Sequence, residues 1–174
     1  MAQGGQFSRN LHYCRTKINF KGYKEPIEHI VDKDDYPQWM FKPENLALAC
    51  DECNTRKGRK DTLRKPHRGS AALPIGSNFY RIVHPHYDNY EDHIEIEDDL
   101  FYRAITKDKG YITILICGLW HFQILMKRAE AKKIDNMDLY KTLAQRMHDV
   151  NVHRKEKKMM RSLMNDLIAR RNIN

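Results

Sequence analysis

Apolar residues fall in short clusters through the first half of the chain and at helical spacing through its end. Residues 27–31 alternate well enough for a short strand, and residues 45–49 form a second short apolar segment. Between them lies a polar loop, residues 34–42, carrying Tyr36, Pro37, Trp39 and Phe41. Residues 50–59 can start a helix, so strand, loop, strand and helix follow one another as a compact ββα arrangement. A basic connector comes next and ends in the loop-like stretch GSAALPIGS. Residues 79–83 look strand-like. Residues 101–105 and 111–117 predict two paired strands around a turn at Lys109 and Gly110. From Gly118 the pattern is helical: residues 121–132, a helix that Asp135 caps, and a terminal helix over 153–171. That last helix places Met160, Leu163, Met164, Leu167 and Ile168 on one face, with Arg and Lys on the other. The expected class is α+β: a ββα core in residues 1–68 and a mixed α/β extension in residues 69–174, ending in helices and packed with the core as one unit.

A chain of 174 residues can bury a core without disulfide staples. No stretch approaches the roughly 18 apolar residues of a membrane span; the run from Ile112 to Leu119 is broken by Thr113 and Gly118. The opening MAQGGQFSRN has no apolar signal core, which predicts a cytoplasmic protein. In that setting Cys14, Cys50, Cys53 and Cys117 are metal ligands or buried thiols rather than a disulfide framework. Cys117, inside an apolar segment, belongs to the core. The 31 Lys and Arg against 23 Asp and Glu leave a charge of +8, which favours a polyanionic partner, nucleic acid first. Arg56, Lys57, Arg59, Lys60, Arg64 and Lys65 directly follow the densest chemical segment, where a bound phosphate backbone would pass. The alternative is a solvated linker.

That segment is EPIEHIVDKDDYPQWMFKPENLALACDECNTRKG. An acid–His pair on a strand is followed, across a loop, by an Asn-led apolar strand and then C-x-x-C-N-x-x-K. Hydrolysis of a phosphodiester needs a base for water, a cation on the phosphate and leaving oxygen, and groups that position the phosphate. His29 has the proton affinity of such a base near neutrality. Glu28 and Asn54 offer oxygen donors, the type Mg²⁺ or Mn²⁺ prefers. Neighbouring strand residues face opposite ways, so Glu28 and His29 converge only if the strand bends or ends there.

These residues resemble the HNH endonuclease superfamily, and most nearly the small HNH proteins of bacterial antiphage systems such as Septu and related retron systems. The likeness is close over residues 13–61 and looser through HPHYDNYEDHI and GYITILICGLWHFQIL. It implies a ββα-metal fold with His29 as general base and Glu28 and Asn54 on the catalytic cation. Asn45 would brace the loop and orient His29, and Lys57 would lie near the phosphate. It further implies DNA as substrate and an SMC-like or related ATPase as partner. An RNase of the same mechanism, or a non-catalytic zinc module that binds nucleic acid, remains the alternative. Many relatives hold a structural zinc on two C-x-x-C pairs. Here the second pair is Cys50 and Cys53, but the first is Cys14 with Lys17 in place of a cysteine. Zinc would therefore sit on Cys14, Cys50 and Cys53 with His12 as the local fourth ligand; otherwise these are ordinary buried thiols. His84, His86, Asp88 and His93 form a second polar cluster, read as structural, with an accessory metal site or a substrate-facing loop as the alternatives.

Overall fold

The computed structural model describes residues 10–17, 26–149, 152 and 154–171. Its class is α+β, with two small antiparallel sheets and five α-helices among the described residues. Contacts divide the chain into two units, Met1–Glu95 with Arg103–Leu119, and Ile96–Tyr102 with Trp120–Asn174. Residues 69–95 and 103–119 thus pack with the acid–His segment.

In the first unit, β1 (Ile27–His29) pairs antiparallel with β2 (Leu46–Leu48), setting Ile27 opposite Leu48, Glu28 opposite Ala47 and His29 opposite Leu46. Alternation turns Ile27 outward, 61% exposed, and Glu28 inward, 4% exposed. The connection is drawn in by Trp39, fully buried and stacked on Tyr36 with ring centroids 4.5 Å apart. Then α1 (Asp51–Lys57) starts at Cys50, whose sulfur accepts the Cys53 amide, and ends at Gly58 with φ +47°. Asp51 and Glu52 in its first turn and Arg56 and Lys57 in its last complement the helix dipole. Tyr13, Ile30, Leu63, Tyr80, Ile82, Ile94 and Ile114 fill the core beneath.

The segment expected as a strand over 111–117 is instead α2 (Lys109–Cys117), a helix packed against α1. Its start is capped by Asp108, whose carboxylate accepts the Lys109 amide at 2.6 Å. Thr113 donates to the Lys109 carbonyl one turn back and accepts from the Val83 amide at 2.8 Å. Six of its nine residues are buried, so it has no polar stripe, and neither a strand nor a helical period marks it. Two glycines permit the fit. A Cβ on Gly110 would lie 2.1 Å from the His93 carbonyl oxygen, and one on Gly118 would meet Arg56 Cδ at 2.4 Å, at φ +62°. The expected strand over 79–83 reduces to a single bridge between Leu63 and Tyr80, extended by Arg81 N donating to Thr62 O at 2.8 Å.

The hairpin of β3 (Ile94–Glu97) and β4 (Phe101–Ala104) carries Ile96–Tyr102 of the second unit. The rest of that unit is α3 (Phe122–Ala131), α4 (Asn136–Met147) and α5 (Arg154–Arg171). Asp135 caps α4 through the amides of Met137 and Asp138, as its sequence position predicts. Leu125, Ala129, Leu139, Leu143, Met160, Leu163 and Leu167 form the core, with Met164 partly buried against it. Ile168 departs from the expected apolar face and is 45% exposed. No helix among the described residues is long and apolar enough to cross a membrane.

Candidate active site and metal centre

Glu28 and His29 leave β1 toward different partners. The Glu28 carboxylate turns into the core, where its Oε1 lies 2.6 Å from Lys57 Nζ in α1. Both side chains are almost wholly buried, and Lys57 Nζ also donates to the Gly58 carbonyl at 3.2 Å. Burial pushes the Glu28 carboxyl above its usual range, against the pull of the Lys57 ammonium. Asn54 precedes Lys57 by one turn on the same helix and is half-buried.

His29, the last residue of β1, is half-buried, with Nε2 3.0 Å from the Met40 carbonyl oxygen. A carbonyl can only accept, so this contact places the ring proton on Nε2 and makes Nδ1 the ring's lone-pair nitrogen. The loop that presents Met40 is clamped by Asn45, which is fully buried. Its Oδ1 accepts the Val31 amide at 2.8 Å, and its Nδ2 donates to the carbonyls of Val31 at 3.1 Å and Trp39 at 3.3 Å. One side chain thus ties the exit of β1 to the turn before Met40.

Cys14, Cys50 and Cys53 come together in the interior, with their three sulfurs within 4.8 Å of one another and Cys14 Sγ 3.8 Å from Cys50 Sγ. A tetrahedral ion with sulfur ligands at about 2.3 Å has an S–S edge of about 3.8 Å, so the spacing suits zinc or another soft ion. Hydrogen bonds among the three sulfurs pull the Cys14 thiol down and push those of Cys50 and Cys53 up. His12, expected as the fourth ligand, is not in the cluster. Its Nε2 lies 3.0 Å from the Val83 carbonyl oxygen, and burial lowers its pKa to about 4.

Most of the basic residues expected on phosphate are engaged within the chain. Arg59 reaches Asp35 at 3.1 Å, Asp34 at 3.6 Å and Asp32 at 3.8 Å. Arg64 pairs with Asp108 at 2.8 Å, and Arg56 pairs with Glu52. Lys60 donates to the carbonyls of Arg56 and Ile116, while Lys65 is exposed.

The second polar cluster is knitted into the fold. His84 is fully buried, stacked on Tyr87 at 4.3 Å, and its Nδ1 accepts the His86 amide. Burial lowers its pKa to about 3. His86 Nε2 lies 2.9 Å from the Leu46 carbonyl oxygen, and His93 Nδ1 lies 3.1 Å from Thr106 Oγ1. Asp88 forms a second buried ion pair, 2.5 Å from Lys109 Nζ, which also donates to Ser77 at 2.8 Å. The sequence offered no sign of Ser77, and Lys109 looked like an exposed turn residue. Among the described residues the three cysteines are the one group of three or more His, Cys, Asp or Glu ligand atoms close enough to share an ion.

No protein-family model matches the chain, and no solved structure matches it. Among curated proteins it is similar to "Septu protein PtuB" of Bacillus thuringiensis, with 26% identity over 103 residues, 59% of this chain and 34% of the relative. The match thus takes in about a third of that relative's length. The likeness supports kinship with Septu proteins over part of the chain.

Proposed function

We propose that this chain is an HNH-type nuclease that hydrolyses phosphodiester bonds in DNA, and that it is the effector of an antiphage defence system. One observation carries the reading: His29 directs Nε2 to the Met40 carbonyl, which makes Nδ1 the lone-pair nitrogen, beside a loop clamped by buried Asn45. In this reading Nδ1 removes a proton from water as the water oxygen attacks phosphorus, and the bond from phosphorus to the leaving oxygen breaks. Asn45 acts as a positioning residue by holding the Trp39 carbonyl, next in the chain to the Met40 carbonyl that orients the ring. The defence role rests on the likeness to the Septu protein, and an SMC-like or related ATPase as partner rests on the resemblance to the small HNH proteins of antiphage systems.

Glu28 and Asn54 are the oxygen donors the HNH resemblance assigns to Mg²⁺ or Mn²⁺, an ion that supplies charge neutralisation on the phosphate and leaving oxygen. As folded, Glu28 does not fit that ion, because its carboxylate already holds the Lys57 ammonium in a buried site. The three cysteines do fit a soft ion, and there zinc would pin residues 10–17 to the start of α1. In this reading exposed Lys65 meets the nucleic-acid backbone first, and Arg56, Arg59, Lys60 and Arg64 must exchange their partners within the chain to join it. The occupied Glu28 together with the thiol cluster favours a second reading, a zinc module that binds nucleic acid without cutting it.

The test is incubation of the purified protein and its His29→Ala variant with plasmid DNA and with RNA, in Mg²⁺, Mn²⁺ or EDTA. DNA cleavage that needs the metal and disappears in His29→Ala is the expected result. Cleavage of RNA in place of DNA reassigns the substrate. Binding without cleavage by the wild type supports the zinc module, and full cleavage by His29→Ala removes that residue from the mechanism.

A further inference from the structure

The terminal helix gathers positive charge on one side. Over Arg154–Arg171, α5 carries seven basic residues against two acidic ones, the greater part of the chain's net +8. At 3.6 residues per turn, Arg154, Lys157, Lys158 and Arg161 fall within an arc of about 100°. Arg154, Lys158 and Arg161 are exposed and Lys157 is half-buried. Met160, Leu163 and Leu167 leave the helix on the other side, in the core of the second unit, where α5 packs against α4. By the same count Glu156 falls on that core side, and Asp166 comes more than a turn after Arg161. None of the four basic side chains has an ion-pair partner among the described residues. The cations after Asn54 behave otherwise, with Arg56, Arg59 and Arg64 held by Glu52, Asp35 and Asp108. The placement also runs against the stability of the helix, because cations in the first turn oppose its dipole. α1 obeys that rule, with Asp51 and Glu52 at its start and Arg56 and Lys57 at its end. The start of α5 inverts it, with Arg154, Lys155 and Lys157 around Glu156. A charge pattern that weakens the helix and finds no acid within the described chain calls for an anion from outside.

We infer that the exposed stripe of Arg154, Lys157, Lys158 and Arg161 on α5 is a binding surface for nucleic-acid phosphates, so that the second unit supplies much of the hold on the backbone. This rests on the nucleic-acid partner of the preceding reading and deepens it by naming a surface that binds it. From Arg154 to Arg161 the stripe advances about 10 Å along the helix, at about 1.5 Å per residue. One strand of duplex DNA presents a phosphate for about every 3.4 Å of axis, so the stripe spans about three of them. Lys and Arg at that spacing meet phosphates without reading bases, which makes the hold indifferent to sequence and sensitive to salt. An anionic membrane offers phosphates too, but a helix that lies on a bilayer needs a free apolar face, and Met160, Leu163 and Leu167 are already buried in the core.

The experiment measures binding of the full chain to a fluorescent DNA duplex of about 30 base pairs, and to RNA of the same length, across a salt series in EDTA so that nothing is cut. Combining Arg154→Gln, Lys158→Gln and Arg161→Gln weakens binding by about a hundredfold at 0.1 M salt and flattens the slope of log K against log salt by about 2–3. A control that combines Lys107→Gln, Lys127→Gln and Lys133→Gln removes the same charge from other exposed positions and changes the slope by less than about 1. The stripe variant melts no lower than wild type, because cations near the helix start do not stabilise it, whereas residues that merely held the fold would lower the melting temperature. A second measurement uses wild type alone: acetylation of Lys157 and Lys158 by an activated ester, read by mass spectrometry, falls when the duplex is bound. Undiminished acetylation of both at saturation overturns the inference whether or not the stripe variant folds. Unchanged affinity and slope in the stripe variant place the hold elsewhere, which overturns the inference and leaves the nuclease reading standing. Equal losses in the control make binding a matter of net charge and overturn the inference in the same way. A wild type that binds neither DNA nor RNA at low salt, whether or not it binds phosphatidylserine vesicles, overturns the inference and the nucleic-acid reading together.

Discussion

Replacing Asn45 by Asp changes one atom of the clamp beside His29 and has a calculable cost. The retained Oδ1 still accepts the Val31 amide, but the new oxygen faces the carbonyls of Val31 and Trp39 at 3.1 and 3.3 Å, where Nδ2 had donated to both. Two buried hydrogen bonds become oxygen–oxygen contacts; the Trp39 carbonyl keeps the Lys42 amide at 3.1 Å, whereas the Val31 carbonyl loses its Nδ2 donor, at roughly 1–3 kcal/mol. The buried carboxylate can escape its charge by taking up a proton, which then donates to one of the two carbonyls. At pH 7 that uptake costs at most about 4 kcal/mol, given an unperturbed carboxyl pKa near 3.9. The expected destabilisation is therefore about 2–4 kcal/mol at pH 7. The variant carboxyl has a raised folded pKa, so its penalty is absent below the unfolded value and grows as pH rises toward the folded one. The gap between variant and wild type thus narrows by up to about 1.4 kcal/mol per unit on going from pH 7 toward pH 4. Urea unfolding followed by the fluorescence of buried Trp39 measures both numbers. A loss below about 1 kcal/mol, or a gap independent of pH, would refute the clamp as described.

Two further outcomes follow from the buried imidazoles and thiols. His84 and His12 have folded pKa values lowered to about 3 and about 4 from 6.5, so the unfolded chain binds more protons below pH 6.5. Stability then falls on acidification by up to about 1.4 kcal/mol per pH unit for each imidazole, down to its folded pKa. Urea unfolding between pH 7 and pH 4.5 checks this, and a His84→Phe variant with the same slope as wild type removes His84 from the account. One zinc or comparable soft ion per chain is expected by elemental analysis, lost in Cys50→Ser together with several degrees of melting temperature. A metal-free wild type with Cys50→Ser folding normally makes the cluster three ordinary thiols.

The sequence by itself determined the elements whose residues announce their own backbone state. The paired segments around residues 27–31 and 45–49, the helix from Cys50, the cap at Asp135 and the terminal helix all follow from local spacing or a capping side chain. The meeting of Cys14 with Cys50 and Cys53 was also legible, through the resemblance to HNH proteins that hold zinc on two C-x-x-C pairs. Tertiary structure alone decided the rest. The α2 segment is buried on most sides, so it carries neither strand nor helix period, and its packing against α1 settled its conformation. The partners of charged groups were equally hidden. In the sequence Lys57 looks like a phosphate contact and Lys109 like a turn residue, yet each pairs with a buried carboxylate, Glu28 and Asp88. Arg59 and Arg64 look like phosphate contacts, yet they are held by acids elsewhere in the chain. A charge declares its sign in the sequence, but its energy depends on which opposite charge lies within a few ångströms and how much water lies between, and only the folded chain sets those distances.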